Sequence, residues 1–240
     1  ISSVSVPESI QTIIEVFHQS RELTPANVHE AIVDAGVTEE DLLPWEDYGH
    51  SKKDGYGRKL VYKEGHFEIM VMSWQPEDFS AIHDHGFTQF GAVQIFGEAD
   101  HAIFKVEDDQ MTTLSRWTTK KGETIPVSHD LIHQMGNPGK KPFLSLHVYG
   151  TKKVTEHVTG EARLYDLSAA VINKSNGGAF FDLPKEEVVS TEVGLSGDFV
   201  TELRYNVEAC LQDLKAGQDP SNLEGRIEKI QSMQQKDKLL

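Results

Sequence analysis

Cysteine is almost absent from this chain of 240 residues, where Cys210 stands alone. A single thiol excludes an internal disulfide and fits a reducing cytoplasm. It also leaves any bound metal to imidazole or carboxylate rather than to a thiolate cluster. Long apolar runs are missing as well. No stretch of about 18 apolar residues occurs, so no membrane-spanning helix is predicted. No basic segment followed by an apolar one opens the sequence, so no signal peptide is predicted. Positive charge is scarce, with 23 Lys and Arg against 38 Asp and Glu and a formal net charge of −15. That balance disfavours nucleic acid and anionic membrane as partners. It does not disfavour an anionic small substrate, because one buried Arg reverses the local field. Internal repeats and low-complexity segments are also lacking.

Hydrophobic periodicity divides the chain into three parts: residues 1–55 as a helical cap, 56–190 as a β-rich body and 191–240 as a helical hairpin. In the first, Ile10, Ile13, Ile14 and Phe17 recur at helical spacing after Pro7, which suits a first turn. Thr24-Pro25 starts a second helix with Val28, Ala31 and Ile32 on its apolar face and Gly36 as its stop. Thr38 and Asp41 make a capping box for a short third helix. From Tyr56 the period falls to two. Strands are predicted at 58–62, 66–74, 89–96, 99–106, 111–118, 124–127, 132–135 and 143–149, separated by turn residues such as Lys63-Glu64-Gly65 and Asn137-Pro138-Gly139. This reads as a mainly β sandwich or barrel. After Tyr149 the pattern loosens, with one more strand over 162–167. A helix over 198–216 then carries Phe199, Leu203, Val207, Leu211 and Leu214 on one side, and Ser221 caps a last helix. Their apolar stripe is expected to be buried against the barrel or against a second copy, so the C-terminal helices are a candidate homo-oligomer contact.

The chemistry concentrates between Ile82 and Tyr149. His83-Asp84-His85 sits in an extended run, where residues two apart share a face. His83 and His85 therefore project together and Asp84 away. His133, followed by Asn137, is the preferred third histidine, with His129 as its rival. Three neutral imidazoles suit iron, zinc, copper or nickel and leave coordination positions open for substrate. Ser145, His147 and Tyr149 alternate along one strand and share a second face. His101, His129 and His157 read as structural or exposed, and Trp74 and Trp117 as packing.

The arrangement resembles the cupin superfamily. Gly97 follows Phe90 by seven residues, as in the first cupin motif, but Gln89 and Phe90 offer no carboxylate where most cupins place a Glu ligand. It resembles more closely the cysteine dioxygenase (thiol dioxygenase) family. Tyr56-Gly57-Arg58-Lys59-Leu60-Val61 is similar to the segment whose Arg binds the substrate carboxylate. His83, His85 and His133 match the iron ligands, and Ser145, His147 and Tyr149 match the Ser-His-Tyr triad beside the metal. The resemblance implies a cupin-type jelly roll, Fe(II) as cofactor, and a small thiol and dioxygen as substrates, with cysteine oxidised to a sulfinate. Arg58 and Tyr56 would bind substrate. Tyr149, His147 and Ser145 would assist the chemistry. Mercaptopropionate or mercaptosuccinate as substrate, a metal-dependent isomerase or lyase, and a non-catalytic cupin are the competing readings. Animal members cross-link a Cys to the triad Tyr. Phe90 takes that place here, so no cross-link is expected.

Overall fold

The computed structural model describes residues 4–20, 22–217 and 220–237. Three helices come first: α1 (Glu8–Gln19), α2 (Pro25–Ala35) and α3 (Glu39–Leu42). Thirteen strands follow. They are β1 (Gly57–Glu64), β2 (Phe67–Trp74), β3 (Ile82–His83), β4 (Phe90–Ile95), β5 (Asp100–Glu107), β6 (Gln110–Thr118) and β7 (Glu123–Ser128). Then come β8 (Ile132–Gly136), β9 (Phe143–Gly150), β10 (Ala162–Asp166), β11 (Val171–Ser175), β12 (Ser190–Val193) and β13 (Ser196–Gly197). Helices α4 (Phe199–Ala216) and α5 (Pro220–Asp237) close the chain.

Two sheets face each other. One has the order β1-β2-β9-β4-β7, the other β12-β11-β10-β3-β8-β5-β6-β13, and every pairing except β13 with β6 is antiparallel. The two-residue alternation of strands sorts the core into layers. Along β9, Leu144, Leu146 and Val148 point outward into a cluster with Ile10, Ile13, Ile14, Phe17, Val28 and Ile32 of the helical cap. Phe143 and Tyr149 point inward, into the space between the sheets, with Tyr56, Met72, Trp74, Val93, Ile125 and Met135. Both faces of β2 and β9 are thus covered, which is why those strands are buried at every residue. The helix signals act as the sequence suggests. Thr24 and Asn27 cap α2 reciprocally, Gly36 ends it in the left-handed conformation at φ 62°, and Thr38 and Asp41 form the second capping box.

The far side of the second sheet carries the hairpin, and of the two covers expected for its apolar stripe, the barrel or a second copy, the barrel does not serve. The stripe of Phe199, Val207, Leu211 and Leu214 does not lie on the barrel; Leu214 is 60% exposed and the neighbouring Val200 69%. The buried face of α4 is largely polar: Thr201, Asn206, Glu208, Gln212 and Asp213, with Tyr205 and Ala209 among them. Distant strands supply the partners. Gln134 of β8 donates to Glu208 at 2.6 Å, Thr113 of β6 to Thr201 at 3.0 Å through its backbone N–H, and Lys215 pairs with the fully buried Asp78. Satisfied buried charge, rather than apolar area, decides which face docks. Strands β11, β12 and β13 were not expected. β12 and β13 are the two edges of their sheet, and β12 is exposed at every residue, while β11 carries the polar pair Asn173 and Lys174, so none of the three shows a two-residue apolar signal. The Ser221 side chain lies outside the described residues. Among those described, no helix is long and apolar enough to cross a membrane.

Candidate active site

Three imidazoles meet between the sheets. His83 on β3 and His133 on β8 are direct partners across an antiparallel pair. His85 follows two residues after His83, just past the strand end, and the three rings lie 4.7–5.3 Å apart by centroid. One nitrogen from each falls within 4.8 Å of the others. The outer nitrogens are occupied. His83 Nδ1 bonds the Ala81 carbonyl at 2.8 Å, His85 Nδ1 the Leu131 carbonyl at 3.2 Å, and His133 Nδ1 approaches His101 Nε2 at 2.9 Å. A carbonyl accepts only, so His83 and His85 carry their protons on Nδ1 and present bare Nε2 atoms inward. His85 Nε2 is buried with no hydrogen-bond partner, and His83 Nε2 lies 3.2 Å from His133 Nε2. Burial holds all three rings below the ordinary histidine range, His85 and His133 well below it, which keeps them neutral and able to coordinate. An inward lone pair left unpaired in the core is costly, and a cation shared by the three would satisfy it. The donor set therefore fits a borderline divalent metal. Among the described residues no carboxylate joins the group.

The opposite wall belongs to β9. The Ser145 hydroxyl lies 2.7 Å from His147 Nε2, and His147 Nδ1 lies 2.8 Å from the Tyr149 hydroxyl. Trp74 on β2, the register neighbour of Phe143, donates its indole N–H to Ser145 Oγ at 2.8 Å. An indole donates only, so Ser145 accepts from Trp74. A buried hydroxyl hydrogen needs an acceptor, and among the described residues His147 Nε2 is the other partner of Ser145, so Ser145 gives it the proton. The neutral ring then carries its proton on Nδ1 and donates to Tyr149. The Tyr149 hydroxyl hydrogen remains free for the chamber. His147 is kept neutral by burial and then by the Arg58 charge, which together pull it down to about 3, while burial pushes Tyr149 well above the tyrosine range. Gly91 opposes Tyr149 on β4, and a Cβ there would lie 2.3 Å from the Val148 carbonyl and 3.3 Å from Tyr149 Cδ1, so glycine makes the room.

Between these walls lies a chamber of about 20 Å³ lined by the three histidines, His147, Tyr149, Tyr56 and Trp74. Tyr56 also lines a larger cleft of about 510 Å³ that contains Arg58, Asp47, Asp54, Glu186 and Glu187. Tyr56 stacks on Trp74 at 4.8 Å, and its hydroxyl accepts from Ala179 N at 2.9 Å. Arg58 on β1 is half-buried and its Nε has no partner. Gly177, at φ 123°, leaves space for the guanidinium, since a Cβ there would sit 2.6 Å from Arg58 Nη2.

The remaining motif residues divide. His129 is exposed and bonds the Gly86 carbonyl at 3.0 Å, away from the cluster. Asp84 is turned to β10, where it accepts from Arg163 N at 2.8 Å. Asn137 does not touch the cluster: it donates to the carbonyls of Trp74 and Lys141 and shapes the turn after β8. Gln89 is exposed, and Phe90 packs near Phe17 in the outer core. Sequence reasoning missed two residues. Trp74 heads the hydrogen-bonded row and His101 bonds His133, although the first reads locally as packing and the second as structural or exposed. Only strand register would have exposed them, because Met135, the partner of His101, is two residues from His133 on the same face.

A two-sheet barrel with an inward imidazole cluster on one wall defines a cupin-type protein with a site that could hold a metal. The family model for Cysteine dioxygenase type I matches residues 1–154, and the chain belongs to that family. It is 24% identical over 162 residues to the Cysteine dioxygenase type 1 of Homo sapiens, covering 65% of this chain and 81% of that one. The protein of the same name from Danio rerio is 23% identical over 155 residues, 62% and 77% of the two chains. Two solved cupin structures that it resembles align over less than half of this chain. The Cnp3 cupin domain of Schizosaccharomyces pombe covers 40% of this chain and 61% of its own, at 13% identity and TM-score 0.34. A cupin 2 conserved barrel protein of Rhodopseudomonas palustris covers 48% and 72%, at 14% and TM-score 0.35.

Proposed function

We propose that this chain is a non-haem iron thiol dioxygenase that oxidises the thiol of cysteine to a sulfinate, adding both atoms of one dioxygen to sulfur. The observation that carries this reading is the meeting of three imidazoles, with one nitrogen from each within 4.8 Å of the others, opposite the hydrogen-bonded row Ser145, His147 and Tyr149. His83, His85 and His133 would hold the ion. Ferrous iron, when bound there, supplies neighbouring positions for sulfur and dioxygen and favours the thiolate over the thiol. Tyr149 directs its hydroxyl hydrogen into the chamber, where oxygen-bound negative charge would develop. His147 and Ser145 keep that hydroxyl pointed and spend none of its proton. Arg58, with its unpaired Nε, would grip the substrate carboxylate in a two-pronged bond, and Tyr56 closes the same end. The lone, buried Cys210 accords with a reducing, cytoplasmic setting.

The cleft beside Arg58 favours cysteine over mercaptosuccinate. Asp47, Asp54, Glu186 and Glu187 around it would repel a second carboxylate and tolerate an ammonium group. The absence of a carboxylate among the three candidate ligands also weighs against the isomerase and lyase readings. Oxygen uptake after ferrous loading, measured with cysteine, cysteamine, 3-mercaptopropionate and mercaptosuccinate, tests the reading. Cysteine should be consumed fastest with a sulfinate as product, and Arg58→Ala should slow the carboxylate thiols far more than cysteamine. No uptake with any of the four thiols would refute it.

A further inference from the structure

Each candidate ligand has a partner on its outer nitrogen, and the three partners are not of one kind. His83 and His85 use backbone carbonyls, Ala81 O and Leu131 O. These are fixed by the chain itself and indifferent to side-chain identity. His133 uses a side chain, His101 Nε2 at 2.9 Å. His101 is completely buried on β5. Its ring sits 4.6 Å from that of Trp117, whose indole N–H is committed to Glu123 at 2.9 Å. His101 Nδ1 is buried with no hydrogen-bond partner. An unpaired buried polar atom lowers stability, and an apolar side chain would fill this place without that cost. Packing alone gives no reason for an imidazole here. The one bond the ring makes, to His133, does.

We infer that His101 is a positioning residue for the metal site: it accepts the Nδ1 proton of His133, fixes that ring's tautomer and plane, and so turns His133 Nε2 toward the shared ion. The acceptor is neutral, so the ligand stays a neutral imidazole and the bound cation keeps its full charge for an anionic thiolate and carboxylate. A carboxylate acceptor, the alternative used at many metal sites, would push the ligand toward imidazolate character and lower that charge. The inference rests on the reading of the triad as a metal site.

Anaerobic titration with Co(II), read by its visible absorption, tests it on the wild-type chain, His101→Phe and His101→Gln. The wild type should bind one ion. His101→Phe should bind about 10–100-fold more weakly, with a shifted spectrum. His101→Gln, whose amide oxygen can accept from His133, should regain most of the affinity. Affinity and spectrum unchanged in His101→Phe would overturn the inference, as would equal losses in both variants. A wild-type chain that takes up no Co(II) would defeat the metal reading itself, and this inference with it. Should His101→Phe fail to fold, the wild type alone decides. In the Zn(II)-loaded protein, long-range ¹H–¹⁵N spectra should find His101 Nε2 unprotonated, and a proton on that atom would refute the role.

Discussion

The two walls of the chamber solve opposite problems with the same side chain. On the β3–β8 wall, histidines are satisfied on their outer nitrogens and left bare within. On the β9 wall, His147 is satisfied on both nitrogens, and what remains unpaired is one hydroxyl hydrogen on Tyr149. The first wall can only give electron pairs and the second can only give a proton. In the proposed reaction a cation takes one side and negative charge develops on the other. Which role a histidine plays here is decided by its outer partner: a carbonyl or His101 on one wall, a serine ordered by Trp74 on the other.

The comparison breaks most completely at His85. Replacing it with Ala should weaken metal binding by more than the roughly 10–100-fold typical of second-sphere losses and bring oxygen uptake to background. Retained metal, measured by elemental analysis after desalting, would mean the bare nitrogens serve another purpose. Tyr149→Phe should leave metal affinity unchanged and lower kcat by about 10²–10³-fold, the usual cost of one donor to developing charge. A matching fall in metal affinity would erase the division of labour between the walls. Ser145→Ala removes the acceptor of Trp74 and the donor to His147. It should cost about 1–3 kcal/mol in urea unfolding, together with a smaller kcat loss than Tyr149→Phe. A kcat loss as large as that of Tyr149→Phe would make Ser145 more than an orienting group.

The last effect is read on stability against pH rather than on activity. Burial holds His101 at about 4, and burial with the Arg58 charge holds His147 at about 3, whereas both return to about 6.5 in the unfolded chain. Over that interval the unfolded state binds more protons than the native state. Stability is therefore complete above about pH 6.5 and falls as pH drops toward 3. The apo protein's Tm should begin to decline above the carboxylate range, and a Tm flat from about pH 7 to 5 would contradict it.

Much of this was legible because it is local. The α2 and α3 caps, the eight central strands and the spacing of His83 with His85 are set by residues within a few positions of one another. The cluster needed only one distant guess, His133 over His129. What escaped was set by pairing across the fold. Trp74 and Ser145 are 71 residues apart, His101 and His133 are 32, and neither bond leaves a mark on local pattern. The helical layers show the same division. Cap helix α1 buries its apolar face, Ile10, Ile13, Ile14 and Phe17, as its periodicity implies. Helix α4 docks through Glu208 and Thr201 and leaves Leu211 and Leu214 exposed, because the groups that neutralise its polar face lie on β6 and β8. Asn137 shows the reverse: its spacing from His133 singled out the third histidine, and the fold uses Asn137 itself to shape a turn.

Whether three imidazoles share one ion is decided by iron per chain, measured after anaerobic ferrous loading and removal of free metal. One equivalent is expected in the wild type and almost none in His83→Ala. An iron content near zero in the wild type, or the same content in both, would contradict it.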